Sequence, residues 1–328
     1  MKIQVPMDTY INSVTKKPLV IVAGPTAVGK SAFAVELAKT IGGEIISADS
    51  MQVYRRMDIG SAKIMPEEMD GVPHHLIDIL EPTEPFDVAL FTQLAGEAID
   101  EITSRGNIPV LVGGTGFYIQ AVRYGIDFQD GENDPEIRRR LEQTAAEKGA
   151  AYMHGLLQEA DPESAAIIHE NNIKRVIRAL EYKEITGEKI SDHNARQHEK
   201  VSPYNSVLFC LTDEREKMYE RIDVRVDKMI EQGLVDEVRG LKDEGCHRGI
   251  TSMQGLGYKE ILDYLDGLCS LEQAVYLIKR DTRHFAKRQL TWMRRERDVT
   301  WLDRRELPDT KAMLEQALSE LKERHILQ

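Results

Sequence analysis

Short runs of consecutive apolar residues alternate with amphipathic stretches in the first third of the chain. Residues 19–23 form a continuous apolar run that ends in glycine, which is typical of a parallel strand buried on both faces. Two further strands are predicted over 44–47 and 108–112. Helices are predicted over 31–40 and 88–105. Strands that alternate with helices indicate right-handed βαβ units and therefore a parallel sheet.

The pattern changes after about residue 127, where several helices and no convincing strand are predicted. Asp134 and Asp161 each precede a proline, the pattern of an N-cap followed by proline at the first helical position. Gly149 closes the helix that follows Asp134, and a further helix is predicted over 173–186, ending at Gly187. We interpret this stretch as a helical insertion.

The chain returns to the sheet with a strand predicted over 204–211, and everything after it has a helical pattern. The predicted helices there cover 214–232, 234–244 and 271–297. The predicted domains are the first part of a catalytic core over 1–126, a helical insertion domain over 127–200, and the completion of the core with a basic helical C-terminal region over 201–328.

A phosphate-binding motif follows the first predicted strand. The sequence GPTAVGKS matches G-x-x-x-x-G-K-[ST] at every fixed position and lies between a strand and a helix. The glycines let backbone N–H groups surround a phosphate, Lys30 adds a positive charge, and Ser31 is a ligand for Mg²⁺. The residues expected to bind a diphosphate or a nucleotide are Gly24, Pro25, Thr26, Ala27, Val28, Gly29, Lys30 and Ser31.

This motif predicts an α/β fold with a parallel sheet like that of the P-loop NTPases, flanked by helices. The alternative is a plain glycine turn with a solvated lysine, which the complete motif in its context disfavours. Many reactions use the same loop, so it does not specify the chemistry.

A second glycine turn, Gly113 to Gly116, follows the third predicted strand. Open α/β sheets bind ligands beyond the carboxyl ends of their strands, so both turns are expected at one crevice. Thr115 is a candidate for a hydrogen bond to a phosphate oxygen, and a plain tight turn is the equal alternative.

Asp49 follows the second predicted strand and is expected at the same crevice. A carboxylate there can hold Mg²⁺ or act as a general base. The alternative is an N-cap that opens a helix.

The distribution of charge bears on possible partners. The chain has 328 residues and a formal net charge of −12, and an acidic surface argues against nucleic acid. Residues 273–297, however, contain eight basic and two acidic side chains, a local charge of +6. Lys279, Arg283 and Lys287 share one helix face, as in a stripe that binds RNA phosphates. Solvated helix faces usually mix charges of both signs, and this one hardly does.

Other polar and aromatic residues are candidates for smaller roles. Arg221 and Arg225 share a helix face. They either reach the diphosphate or the RNA, or pair with neighbouring carboxylates. We assign Arg225 to the diphosphate. The aromatic residues Tyr258, Phe285 and Trp292 either stack on bases or pack in the core, and core packing is favoured for Phe285 and Trp292. His74 and His75 lack further zinc ligands and are expected to be structural or to line a pocket.

Six motifs that occur in order between residues 24 and 301 resemble the tRNA dimethylallyltransferase family. They are GPTAVGKS, ISADSMQVYRRMDIGSAK, PHHLID, VGGTGFY, QGLGYKE and KRQLTWMRR. The family transfers a dimethylallyl group from dimethylallyl diphosphate to the exocyclic N6 amine of the adenosine 3′ to the anticodon of tRNA. The resemblance therefore implies a prenyltransferase that uses Mg²⁺ at Ser31.

The resemblance also assigns roles to individual residues. Asp49 is implied as the general base, with Lys30 and Thr115 beside the diphosphate and the target nucleotide. The implied tRNA contacts are Asp49, Ser50, Met51, Gln52, Thr115, Arg138, Lys174, Arg175, Val176, Ile177, Arg178, Gln254, Gly255, Leu256, Gly257, Tyr258 and Lys259. The chemistry is consistent with these residues, because a carboxylate helps a weakly nucleophilic adenine amine and cations stabilise departing diphosphate.

Two other functions are compatible with the phosphate loop alone. A small-molecule phosphotransferase leaves the helical insertion and the basic helix unexplained, whereas a nucleotide-dependent RNA-binding switch leaves Asp49 unexplained. The expected partners are the anticodon stem-loop of tRNA and dimethylallyl diphosphate, with no membrane and no obligatory protein partner, as a monomer. Three scattered cysteines, apolar runs too short to cross a bilayer, and an N-terminal segment without an apolar leader predict a cytoplasmic protein.

Overall fold

The computed structural model describes residues 16–126, 134–199 and 201–327, without the side chains of 197–199. These residues form two compact units. The core unit consists of the described residues up to Ile119 and from Pro203 onward, and the helical unit is Gln120–Ser202. The N-terminal segment considered above, up to residue 15, and the predicted boundary at 126/127 lie outside the described residues or at their edge.

A six-stranded parallel sheet forms the centre of the core unit, with strand order β3-β2-β4-β1-β5-β6. The strands are β1 Pro18–Ala23, β2 Gly43–Ala48, β3 His74–His75, β4 Ile108–Gly113, β5 Asn205–Thr212 and β6 Val299–Asp303. The predicted P-loop NTPase-like sheet flanked by helices is confirmed. The expectation that everything after β5 is helical was wrong at β6, a short strand at the edge of the sheet.

Thirteen helices are described, and α5 is broken at Gly149, where φ is +80°. In the first part of the core unit they are α1 Lys30–Ile41, α2 Pro66–Met69, α3 Val88–Ser104 and α4 Gly116–Tyr124, which extends into the helical unit. The helical unit contains α5 Pro135–Ala160, α6 Pro162–Ile167, α7 Ile173–Thr186 and α8 Ile190–Glu199. The remaining helices are α9 Arg215–Glu231, α10 Leu234–Asp243, α11 Tyr258–Leu265, α12 Leu271–Met293 and α13 Thr310–Glu323.

The central strands are buried on both faces, which explains their continuous apolar sequences. Val20 and Val22 of β1 belong to a cluster that includes Phe33 of α1 and Met313 of α13. On β5, Cys210 alternates with the residues of that cluster, and its Sγ lies 3.2 Å from Met293 Sδ of α12. Helices therefore pack on the sheet so that the carboxyl ends of β1, β2 and β4 remain the place where the loops meet.

The helical unit has a core of its own, built from α5, α6 and α7. Both predicted N-caps are confirmed. The Asp134 carboxylate accepts a hydrogen bond from the Glu136 N–H at 2.8 Å, and the Asp161 carboxylate accepts one from the Ser164 N–H at 3.1 Å. Within the described part of the chain, no helix has the length and apolar character to cross a membrane.

Candidate active site

The phosphate loop connects β1 to α1 as the sequence predicts. Gly29 is the N-cap of α1 and has a φ of +94°, which side chains other than glycine rarely adopt. Lys30 is the first residue of α1, and its Nζ donates a hydrogen bond to the Pro25 carbonyl at 2.8 Å. Burial and the charge of Arg225 lower the pKa of Lys30 to about 8. The loop thus holds a cation at a helix N-terminus, the arrangement that binds phosphate groups.

Arg221 and Arg225 of α9 both reach the phosphate loop but make different contacts. Arg221 donates from Nε to the Ala27 carbonyl at 2.9 Å and from Nη2 to the Asp213 carboxylate at 2.8 Å. Arg225 lies 3.5 Å from Thr26 Oγ1 and lines the cavity in front of the loop. Burial and Arg221 lower the pKa of Arg225. Arg221 therefore supports the loop, and Arg225 faces the cavity.

Asp49 lies directly after β2 at the same cavity. Its Oδ1 accepts hydrogen bonds from the N–H groups of Met51 at 2.8 Å and Gln52 at 3.3 Å. No helix follows, so Asp49 closes a turn and is not a helix N-cap. Its Oδ2 has no hydrogen-bond partner among the residues that the structure describes. One carboxylate oxygen is thus used to hold the turn and the other is available to a substrate.

The cavity has a volume of about 110 Å³ and is lined by both polar and apolar residues. Its polar residues include Thr26, Lys30, Ser31, Asp49, Gln52 and Arg225. Its apolar residues include Ile45, Ile64, Ile77 and Val112. His74 also lines it, while His75 bonds the Glu44 carboxylate at 2.7 Å, so both histidines have the modest roles that the sequence suggests.

The second glycine turn meets the phosphate loop, but Thr115 is not among the residues that line the cavity. Gly113 lines it, and the Gly114 carbonyl accepts a hydrogen bond from Gln289 Nε2 at 2.9 Å. The Thr115 carbonyl accepts from the Tyr118 N–H at 3.0 Å at the start of α4. Thr115 therefore opens α4, and its hydrogen bond to a phosphate oxygen stays a prediction.

Two segments with implied tRNA contacts lie side by side in the core unit, although about 200 residues separate them in the sequence. A Cβ atom on Gly255 would lie 3.0 Å from Met51 Sδ, so the backbone at 255 packs directly against the segment 49–52. Gln254 is exposed next to this contact. The fold therefore gathers these residues at one surface beside Asp49.

Glu237 is a residue of this region that sequence reasoning missed. Its carboxylate accepts hydrogen bonds from the N–H groups of Asp58, Ile59 and Gly60 at 3.0, 2.7 and 3.1 Å. It thereby holds the loop whose next residues, Ser61 and Ala62, line the cavity. Its position on α10, far from that loop in the sequence, carries no local signal of this role.

Tyr258 corrects an expectation, because its side chain is fully buried. Its hydroxyl donates to Glu237 at 2.8 Å, and a Cβ on Gly60 would overlap its ring. Burial, followed by the charge of Glu237, raises the pKa of Tyr258 well above its usual value. The Tyr258 side chain therefore neither stacks on a base nor contacts RNA; it supports the loop of Gly60.

Two of the implied tRNA contacts in the helical unit are also corrected. Val176 and Ile177 are 0% and 2% exposed, because the apolar face of α7 packs into the core of this unit. Lys174 and Arg175 are exposed on the other face. Arg178 donates to the buried Glu181 at 3.2 Å.

Arg138 of α5 shares this carboxylate with α7. Its Nη1 donates to Glu181 at 3.1 Å, and its Nε donates to Glu142 at 3.1 Å. Arg138 therefore has a fixed position on the surface of the helical unit.

The prediction that a basic stripe on α12 binds RNA was wrong for two of its three residues. Lys279 pairs with Asp227 at 2.6 Å and Arg283 with Asp223 at 2.5 Å. Both carboxylates belong to α9, so these pairs join two packed helices and are not offered to RNA. The prediction overlooked that the neighbouring helix carries acids at the matching spacing.

Lys287 remains exposed and belongs to a different surface. We define the α12 basic patch as Lys287, Arg288, Trp292 and Arg295, which line a surface hollow of about 410 Å³. Within the described part of the chain, the three cations have no acidic partner. A Cβ on Gly116 would overlap the Trp292 indole, so the patch borders the turn that contains Thr115.

A glycine loop between strand and helix, two cations and a carboxylate around one cavity define a phosphate-loop enzyme. Comparison with known proteins narrows this class. The family model described as IPP transferase matches residues 52–296, and one described as isopentenyl transferase matches residues 17–79. The chain belongs to the IPP transferase family and is a prenyltransferase.

Similar proteins cover nearly the whole chain. A tRNA dimethylallyltransferase of Lachnoclostridium phytofermentans is 56% identical over 95% of this chain and 99% of its own. The structure of the full-length tRNA isopentenylpyrophosphate transferase of Bacillus halodurans has a TM-score of 0.71 at 47% identity, covering 94% of this chain and 98% of that chain. A eukaryotic dimethylallyltransferase acting on tRNA has a TM-score of 0.81 at 29% identity, covering 94% of this chain and 79% of that chain.

Proposed function

We propose that this enzyme transfers a dimethylallyl group from dimethylallyl diphosphate to the N6 amine of the adenosine 3′ to the anticodon in tRNA. The observation that carries the proposal is one cavity that is lined by Lys30, Arg225 and Asp49, with a single oxygen of the Asp49 carboxylate used to hold its own turn. Such a cavity brings together a site for a leaving diphosphate and a base for an incoming amine. The substrates of the similar proteins support this reaction.

Asp49 is the proposed general base. The adenine amine is a weak nucleophile because its lone pair is delocalised into the ring. As the nitrogen forms its bond to the prenyl carbon, the bond between that carbon and the diphosphate oxygen breaks. Asp49 Oδ2 accepts the proton that the amine loses, and diphosphate leaves with the electron pair. The backbone hydrogen bonds to Oδ1 keep the carboxylate oriented throughout.

Lys30, Arg225 and the N-terminus of α1 stabilise the charge on the departing diphosphate. The apolar side chains Ile45, Ile64 and Ile77 offer a water-excluding surface to the prenyl group. In the same cavity, the Ser31 hydroxyl is a hard oxygen donor, which fits Mg²⁺. A bound Mg²⁺ would neutralise part of the diphosphate charge.

We propose that the tRNA anticodon stem-loop lies across the surface formed by Asp49 to Gln52, Gln254 and the α12 basic patch. In the helical unit, Lys174 and Arg175 are proposed as further phosphate contacts. The target base must leave its stack to reach Asp49. We further propose a cytoplasmic location, which the three unpaired cysteines support, and a monomeric enzyme.

The test of this function is a reaction without nucleotide. The purified protein is incubated with unmodified tRNA, dimethylallyl diphosphate and Mg²⁺, without ATP, and the nucleosides are analysed by mass spectrometry. We expect N6-dimethylallyladenosine and one diphosphate per transfer. Transfer that requires ATP, or phosphorylation in place of prenylation, would refute the proposal.

The pKa of Lys30, about 8, predicts a pH dependence of substrate capture. The ammonium form binds diphosphate and is lost as the pH rises through this value. We therefore expect kcat/KM for dimethylallyl diphosphate to fall up to about tenfold per pH unit above about pH 8. Bound diphosphate stabilises the ammonium, so the decline in kcat begins at higher pH.

The control for this prediction is the Lys30→Arg variant, because the arginine guanidinium stays charged over this pH range. Its kcat/KM profile is expected to lack the decline, whatever its absolute activity. A wild-type profile that stays flat between about pH 7 and about pH 9.5 would show that Lys30 does not titrate there.

A further inference from the structure

Gln289 of α12 connects the two glycine turns of the active site. The Thr26 N–H of the phosphate loop donates to Gln289 Oε1 at 2.9 Å, and Gln289 Nε2 donates to the Gly114 carbonyl at 2.9 Å. The side chain is 7% exposed. A single buried amide thus bridges two loops that lie far apart in the sequence.

The bridge has little freedom to rearrange. A Cβ on Gly114 would overlap Gln289 Nε2 and would lie 3.4 Å from the Gly24 carbonyl oxygen. The two turns therefore approach each other so closely that the amide fills the place of a side chain at position 114. Elsewhere on α12, Ala286 packs with Ala27 of the phosphate loop.

Only an amide satisfies both partners. The Thr26 N–H needs an acceptor and the Gly114 carbonyl needs a donor, and these needs also settle the orientation of the Gln289 amide. A glutamate at position 289 offers no donor, and an apolar residue offers neither group. The bridge also turns the Thr26 N–H toward the protein, so the remaining loop amides and the Thr26 hydroxyl are left to face a diphosphate.

We propose that Gln289 is a positioning residue that sets the distance between the diphosphate and the target amine. This inference rests on the proposed function. The phosphate loop places the leaving group, and the Gly114 turn continues directly into Thr115 and α4. Gly113, next to Gly114, pairs with Ala48 of β2, the residue before Asp49. Gln289 thus ties the phosphate loop, which places the leaving group, to the strand ends that carry the proposed base. Misplacement by about 1 Å costs about 10²-fold in rate in such systems.

Gln289→Met tests the proposal, because methionine has a similar length and makes neither hydrogen bond. We expect kcat at saturating substrates to fall at least tenfold. The KM for dimethylallyl diphosphate and the equilibrium Kd for tRNA are expected to stay within threefold, a split that a general loss of structure would not produce. Gln273→Met, on an exposed position of the same helix, is the matched control and should retain wild-type kcat.

Gly114→Ala breaks the bridge from the other side without changing α12. We expect the same loss of kcat, and no further loss when it is combined with Gln289→Met, because both changes break one connection. If Gln289→Met does not fold, Gly114→Ala decides alone. Wild-type kcat in the folded variants, or additive losses, would overturn the proposal. An inactive wild-type enzyme would instead refute the proposed function.

Discussion

Asp49→Asn is expected to lower kcat by about 10²- to 10⁴-fold, the usual contribution of a general base. The asparagine oxygen can still accept the hydrogen bonds from Met51 and Gln52, so the turn after β2 should keep its shape. What is lost is the group that takes the proton from the amine. The Kd for tRNA and the KM for dimethylallyl diphosphate are expected to change by less than threefold.

Asp87→Asn is the matched control for this variant. The Asp87 carboxylate, like that of Asp49, accepts a hydrogen bond from a backbone N–H, here the Leu90 N–H at 2.9 Å. Asp87 lies at the start of α3, outside the cavity. Asparagine caps helices as well as aspartate does, so activity and stability should both be retained. Single-turnover measurements with bound substrates separate chemistry from binding. An Asp49→Asn enzyme with at least a tenth of the wild-type rate would remove Asp49 from the role of base.

Neutralising the α12 basic patch is expected to weaken tRNA binding at least tenfold. The variant is Lys287→Gln, Arg288→Gln and Arg295→Gln together. Each phosphate contact to single-stranded nucleic acid contributes about 0.7 to the slope of log Kd against log salt, so the slope should fall by about 2. The KM for dimethylallyl diphosphate should be nearly unchanged. Fluorescence anisotropy with labelled tRNA at several salt concentrations measures both quantities.

Two controls separate this surface from charge in general. Lys279→Gln with Arg283→Gln removes cations that pair with α9, so we expect lower thermal stability and an unchanged salt slope. Lys39→Gln, Lys311→Gln and Lys322→Gln together remove the same charge from α1 and α13 and should affect neither tRNA affinity nor its slope. An unchanged slope in the patch variant would show that this surface does not bind RNA phosphates.

The parts of the fold that were predictable have strong local patterns. β1, β4 and β5 are buried on both faces, and each contains a continuous apolar run in the sequence, whereas the equally buried β2 includes Glu44 and Ser47. β3 and β6 lie at the two edges of the sheet and are two and five residues long. Pairing with a neighbour creates β3, whereas β6 has the strand-favouring residues Val299, Thr300 and Trp301, which the helical interpretation of this region overlooked. The helical unit was predictable because its caps and apolar faces are local features.

The residues of the candidate site also fall into those that the sequence predicts and those that it does not. The phosphate loop and Asp49 could be placed at the cavity from short motifs, because each directly follows its own strand. Helical periodicity also placed Lys279, Arg283 and Lys287 on one face. Periodicity does not say what covers that face, and here α9 covers two of the three.

The sequence by itself determined the P-loop-like sheet, the family and the identity of the main cation and carboxylate, since all of these depend on residues close together in the chain. Only the tertiary structure decided which charges remain free for RNA and which are neutralised by packing. It also brought Glu237 and Gln289 to loops far from them in sequence. A hydrogen bond between distant residues depends on how the whole chain packs, and no local spacing encodes it.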